Sequence, residues 1–365
     1  MEKDVSDIYV VRNCPVPNGT RPYHEGLDRL LNLMGDHGLK FYRTDKTFRN
    51  GGNDGLIQRE DVVLIKVNAQ WKYRGCTNSD VTKGLIQRIL DHPDGFDGEV
   101  VLFENGQSKG SFDCDTMSGG RYPDSGVHAN AEDESHSFSY LVDSVFHDPR
   151  VSVYLLDPVW EIFLSEEDHT TDGYRRLGDV SYPCFTTTGG HRVELREGIW
   201  DGSSHRGNLK LINLPVLKHH GGSGITGALK SFYGVLSMAD GNKDARHYER
   251  LGQHCGEMIV RVRPPVVTIL DCIWVSLIDL CGYPPEMIRR LDALLASVDP
   301  VALDYWASKY LLYPIDRNEE HHPDRFPGLR DSLIQARDTI NDRGGIWGQE
   351  AVLGDEPINV VHQSF

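Results

Sequence analysis

The chain has 365 residues, with 38 Lys and Arg against 54 Asp and Glu and a formal net charge of −16. At roughly 150 residues per domain this is about two domains or one large α/β unit, and 39% hydrophobic with 25% charged residues describes a folded globular chain rather than a disordered one. The acidic balance argues against a nucleic-acid partner, because a phosphate backbone calls for a basic face. No membrane is expected either: the most apolar stretch, 266–282, holds Asp271 and Asp279, which are costly at a bilayer centre.

The opening Met1-Glu2-Lys3-Asp4 carries mixed charge and no apolar run of the secretory kind, so a cytoplasmic location is expected. Seven cysteines (14, 76, 114, 184, 255, 272 and 281) never form C-x-x-C, which speaks against a disulfide framework and a thiolate metal site.

In chain order, β-branched runs alternate with helical periodicity. A strand over 8–12, a helix over 23–37 and a short strand over 39–42 come first. The run D-V-V-L-I-K-V-N at 61–68 reads as a buried strand, Asn78 as the N-cap of a helix over 81–91, and 99–104 as the next strand. Residues 105–134, rich in Gly, Ser, Asp and Asn, read as a long loop, either a lid or a docking surface. A helix over 135–146 and a strand over 151–156 follow, then an irregular region over 165–188, a hairpin strand over 191–196 and a very apolar strand over 209–217. Residues 266–273 read as a buried strand continuing into a helix, the chain from 284 as mostly helical with a helix over 301–312 capped by Asp299, and the tail after 344 as extended.

The expected fold is α/β: a mostly parallel open sheet with flanking helices, long irregular insertions and a mainly helical C-terminal part. Three segments are expected, 1–160, 161–315 and 316–365.

The chemistry concentrates in 210–241, K-L-I-N-L-P-V-L-K-H-H-G-G-S-G-I-T-G-A-L-K-S-F-Y-G-V-L-S-M-A-D-G. A buried strand delivers Lys218, His219 and His220 to a Gly-Gly-Ser-Gly turn, and strand C-terminal ends face the ligand crevice of an open α/β sheet. Gly222 and Gly224 would let the backbone approach a ligand, and a helix after them would place Thr226 and Lys230 on one face. Lys66 and Asn68 lie at another strand end, where a buried lysine can act as a base. Asp271 ends a third apolar run and needs a partner, and Asp304 stands one turn beyond Asp299. A divalent metal on one of His219 and His220, which diverge as strand neighbours, joined by Asp271, His191 or His254, is the competing use of these groups.

The run I-N-L-P-V-L-K-H-H…G-I-T-G-A-L-K-S-F-Y-G resembles the signature of the domain of unknown function 362 family. V-L-I-K-V-N at 63–68, I-L-D-C-I at 269–273 and S-V-D-P-V-A-L-D at 297–304 are similar to the same family, although its sequences commonly read K-P-N where this chain has Lys66-Val67-Asn68. Some members carry a ferredoxin-type iron–sulfur segment; its C-x-x-C-x-x-C pattern is absent here, so no such cluster is expected. The early strand and helix also resemble the N-terminal domain of nickel-dependent lactate racemases. That likeness implies a reaction class, proton or hydride movement beside a carboxylate, and the cofactor is not carried over.

The sequence therefore favours an enzyme, an isomerase or oxidoreductase, that binds a small carboxylate or phosphate. Lys218, Lys230 and Thr226 would fix the anion, Lys66 or His220 would move a proton, and Asn68, Gly222, Gly224, Asp271 and Asp304 would complete the site. The alternatives are a metal or cofactor carrier using His219, His220 and Asp271, and a docking module working through its acidic loops.

Overall fold

The computed structural model describes residues 5–17, 22–107, 110–116, 125–241 and 248–365. β1 (Ser6–Arg12) leads into α1 (Glu25–Asp36), whose first turn is capped by His24 through Nδ1. β2 (Tyr42–Arg43) and β3 (Gly51–Gly52) form a small two-stranded sheet of their own, so the strand expected over 39–42 is a two-residue remnant. β4 (Val62–Val67), α2 (Ser79–Leu90) and β5 (Glu99–Glu104) follow as read, with Asn78 Oδ1 accepting from the Val81 amide at 3.1 Å. α3 (Phe138–Tyr140) widens into a π-type segment over Leu141–Phe146 before β6 (Val151–Leu155).

The region expected to be irregular over 165–188 is instead a hairpin, β7 (Gly173–Leu177) and β8 (Val180–Thr186). Gly178, at φ 62°, supplies its turn, and the alternate residues Tyr174, Tyr182 and Cys184 are buried beneath it. With β9 (Arg192–Glu194), β10 (Gly198–Trp200) and β11 (His205–Arg206) it forms an antiparallel sheet in the order β11-β10-β9-β8-β7.

The apolar run over 209–217 is split by Pro215, which has no amide hydrogen for a ladder. β12 (Leu209–Leu214) stays in the parallel sheet, while β13 (Val216–His220) shifts over to pair with a later strand and with β14 (Gly224–Thr226). After α4 (Met238–Gly241) and α5 (Leu251–Glu257), β15 (Val267–Ser276) returns as the antiparallel β16 (Ile288–Ser297). β15 runs on to Ser276 where a helix is expected after residue 273, and residues 288–297, read as helical, are strand. The helical C-terminal part begins at α6 (Pro300–Ala307), capped by Asp299 as expected, and continues through α7 (Tyr313–Asp316) and α8 (Pro327–Asn341) to β17 (Ile358–Ser364).

The fold is thus α/β around a ten-stranded, mostly parallel sheet of path β17-β1-β16-β15-β12-β4-β5-β6, drawing strands from all three expected segments. Alternate residues feed opposite cores: Ile8, Val10, Val62 and Leu64 pack with the second sheet and α5, α6 and α8, whereas Tyr9, Val11, Val63 and Ile65 pack with α1 and α2. From β4 the chain winds outward to β5 and β6, then returns to β4's other side as β12 before reaching β15. The β4/β12 boundary is therefore the topological switch point, where the crevice of such a sheet opens. Among the described residues no helix is long and apolar enough to cross a membrane.

Candidate active site

A cavity of about 230 Å³ opens at that boundary, lined by Asn68, Glu104, Lys218, His220, Thr226 and Lys230 among others. Its polar groups come from the C-terminal ends of β4 and β5 and from the hairpin that grows out of β12. Asn68, just past β4, accepts the Val216 amide on Oδ1 at 3.0 Å and so locks the start of β13 against the strand it has left.

The Gly-Gly-Ser-Gly segment does not open a helix. It turns the β13–β14 hairpin, in which Lys218 stands directly opposite Thr226 and His220 opposite Gly224. Thr226 therefore reaches the cavity by cross-strand register, and Lys230 by a 3₁₀ turn over Lys230–Gly234, not from one shared helix face. Gly222 and Gly224, both at φ 80°, permit the turn but do not line the cavity. A side chain on Gly224 would also collide with the Glu320 carbonyl.

Lys218 Nζ donates to the carbonyls of Gly75 at 2.8 Å and Leu280 at 3.1 Å, and burial lowers its pKa to about 8. Burial also lowers Lys230 to about 7, with its ammonium 5.2 Å from the Tyr233 ring centroid. His220 Nδ1 lies 2.8 Å from the Gly221 carbonyl and 2.9 Å from Ser223 Oγ. A hydrogen donated from Nδ1 to that carbonyl leaves Nε2 as the basic ring atom.

Lys66 is fully buried and does not line the cavity. Its ammonium donates to Val67 O at 2.8 Å and Ser231 Oγ at 3.0 Å, and lies 2.6 Å from Glu104 Oε2. Glu104, its partner, does line the cavity. Burial lifts the Glu104 carboxyl to about 8 against the opposing pull of Lys66, whose own pKa burial lowers. Gly234 packs so closely on this carboxylate that a Cβ there would strike it. Sequence reading missed Glu104, although it ends a buried apolar strand just as Lys66 nearly ends its own.

Asp271 and Asp304 stand behind the site rather than in it. Asp271 accepts the amides of Asn78 at 2.8 Å and Ile273 at 3.0 Å, tying α2 to β15. Asp304 accepts those of Ala228 at 2.6 Å and Leu229 at 2.9 Å, holding the turn that presents Lys230. Burial raises both carboxyls to about 7.

The proposed metal set does not assemble. His219 points away from His220, as neighbours on a strand do, with Nδ1 2.9 Å from His321 Nε2. Among the described residues the only three candidate ligands with donor atoms within 4.8 Å of one another are His169, Glu194 and His205, on the second sheet.

The described parts of the long loop are stitched to the site wall. Arg74 donates to Asn130 Oδ1 at 2.9 Å and Ala131 O at 3.1 Å, Asn130 Nδ2 donates to Cys76 O at 2.8 Å, and the Glu132 amide donates to Asp80 Oδ2 at 2.9 Å. Residues 108–109 and 117–124 of that loop lie outside the described residues.

No curated protein and no solved structure matches the chain, and the similarity to nickel-dependent lactate racemases is not shown. Residues 209–309 match the family model described as Domain of unknown function (DUF362). This match covers the stretch that carries Lys218, His220, Thr226 and Lys230, so that part of the chain is similar to the DUF362 family.

Proposed function

We propose that the protein is an enzyme that binds a small carboxylate or phosphate at the β4/β12 crevice and moves a proton beside it. The observation that carries this reading is the meeting of two buried lysines and a buried carboxyl, with pKa values of about 8, 7 and 8, around one cavity. Groups that titrate near neutrality are what acid–base catalysis uses. In a chain of net charge −16 a locally cationic cavity also singles out an anion.

Lys218 and Thr226 fix the anionic group, with Asn68 beside them. Lys230, His220 and Glu104 are the proton-transfer groups. Lys66 tunes Glu104 without touching substrate. The volume, below the ~300–1,000 Å³ of pockets for drug-sized ligands, suits a small acid. Isomerisation by proton transfer beside the carboxylate fits this set best. We place the reaction in the cytoplasm, whose reducing conditions suit seven buried free thiols, with neither nucleic acid nor membrane as partner.

The test is incubation in D₂O with small 2-hydroxy acids, 2-oxo acids and their phosphorylated counterparts, followed by NMR for loss of the α-proton signal. Exchange that disappears in Lys230→Ala while the fold survives is the expected result. If none of these compounds exchanges or raises the melting temperature, the reading is wrong.

A further inference from the structure

We infer that His169, Glu194 and His205 form a second, separate site that takes a divalent transition metal of the zinc class. Glu194 ends β9, His205 begins β11, and His169 lies in the segment that leads into β7. Glu194 is the hub, with His169 Nδ1 2.5 Å from Oε1 and His205 Nε2 2.8 Å from Oε2. Two imidazoles and a carboxylate are a zinc donor set, with N and O at ~2.0–2.2 Å and a fourth position for water. Donors around such an ion stand about 3–3.5 Å apart, so the rings need to back off by under roughly 1 Å.

The frame that would hold the ion is already built. Trp200 stacks on His169, with ring centroids 3.9 Å apart and planes within 10°, and it pairs directly with His205 in the β10–β11 ladder. Glu194 is fully buried, whereas the His169 and His205 side chains are 22% and 24% exposed, so an ion can enter from solvent and keep its open side there.

Charge compensation alone does not explain the two rings. Arg175 Nη1 already sits 2.6 Å from Glu194 Oε2, and its guanidinium is anchored on the carbonyls of Ser165 and Asp168. One guanidinium neutralises one carboxylate; the imidazoles bring nitrogen lone pairs that a metal can use as well as a hydrogen bond can. Arg175, and Arg192 at 3.9 Å from Oε1 with Asp172 as its partner, oppose any dication. They therefore select against weakly held magnesium or calcium and for an ion with strong affinity for imidazole.

The test titrates zinc and cobalt into the whole, metal-stripped protein and into His169→Ala and His205→Ala, with circular dichroism to verify the fold. The wild type should take up one ion, cobalt should show the visible absorption of a low-coordinate nitrogen and oxygen site, and each variant should bind at least about 100-fold more weakly. Should an alanine variant unfold, His205→Asn is measured in its place. Absence of stoichiometric uptake, or equal affinity in wild type and variants, overturns the site. Lys230→Ala should bind the ion like the wild type, so failure here leaves the crevice reading standing.

Discussion

Glu104 and Glu194 each end a strand, and each is buried, yet their surroundings drive them in opposite directions. Burial raises both carboxyls. At Glu104 it prevails over a single ammonium and takes the pKa to about 8; at Glu194 it is outweighed by hydrogen bonds from His169 and His205 and by Arg175, which hold the carboxyl below its ordinary value. The donors around a buried carboxyl thus share with burial in deciding whether it trades protons at neutral pH or stays a fixed anion. That difference is why the first is read as a proton-transfer group and the second as a ligand.

The largest expected effect comes from removing the exchangeable carboxyl. Glu104→Gln should cut turnover by about 10²–10⁴-fold and, by disturbing the hydrogen-bonding partner of buried Lys66, should cost about 1–3 kcal/mol of stability in urea melts. Adding Lys66→Met to that variant should recover most of the stability without the activity. Recovery of both would move the chemistry away from Glu104.

Glu194→Gln should also destabilise, by about 3–5 kcal/mol, because Arg175 loses its carboxylate. Activity per folded molecule in the D₂O assay should not change. Lys218→Met should weaken binding of the small anion by about 1.5–3 kcal/mol, the worth of a hydrogen bond from a charged donor, read by calorimetry as a loss in affinity with little loss of stability.

The pH dependence of stability reads the same groups together. Folding raises Glu104 from 4.5 to about 8, so the native state holds more protons than the unfolded one and stability should fall as pH climbs from about 4.5 to 8. Folding lowers Lys218 and Lys230 from 10.5 to about 8 and 7, so the unfolded state holds more protons there and stability should rise from about pH 7 to 10.5. Urea melts across this range should show a minimum near neutrality, with a weaker alkaline rise in Lys218→Met. A flat profile would mean that the lysines are better solvated than their burial implies.

Where sequence and structure agree, the local signal carries its own mechanism. Asn78 and Asp299 are caps whose side chains bond the amides that follow, and the apolar runs of β4 and β5 leave no other use for their residues. Where they part, a tertiary partner overrides the local preference. I-R-R-L-D-A-L-L-A-S has helical residues and spacing, but β1 and β15 flank it and draw it into the sheet as β16. The glycine-rich turn could serve a helix or a hairpin, and the Lys218–Thr226 pairing that decides it is a cross-strand fact no spacing shows. Of the candidate site, Asn68, Lys218, His220, Thr226 and Lys230 face the cavity, while Lys66, Asp271 and Asp304 support it from behind. Strand ends point to the right neighbourhood; which buried charge meets another is settled only by packing.

β1 takes its two neighbours from residues 288–297 and 358–364. During synthesis it therefore emerges with both ladders open and stays so while nearly three hundred residues follow. An apolar strand with unpaired edges is a template for pairing with another copy. Protection by chaperones, or rapid covering of Leu27, Leu30 and Leu31 of α1 against it, has to bridge that interval. Faults near residue 358 would then act at a distance, through β1.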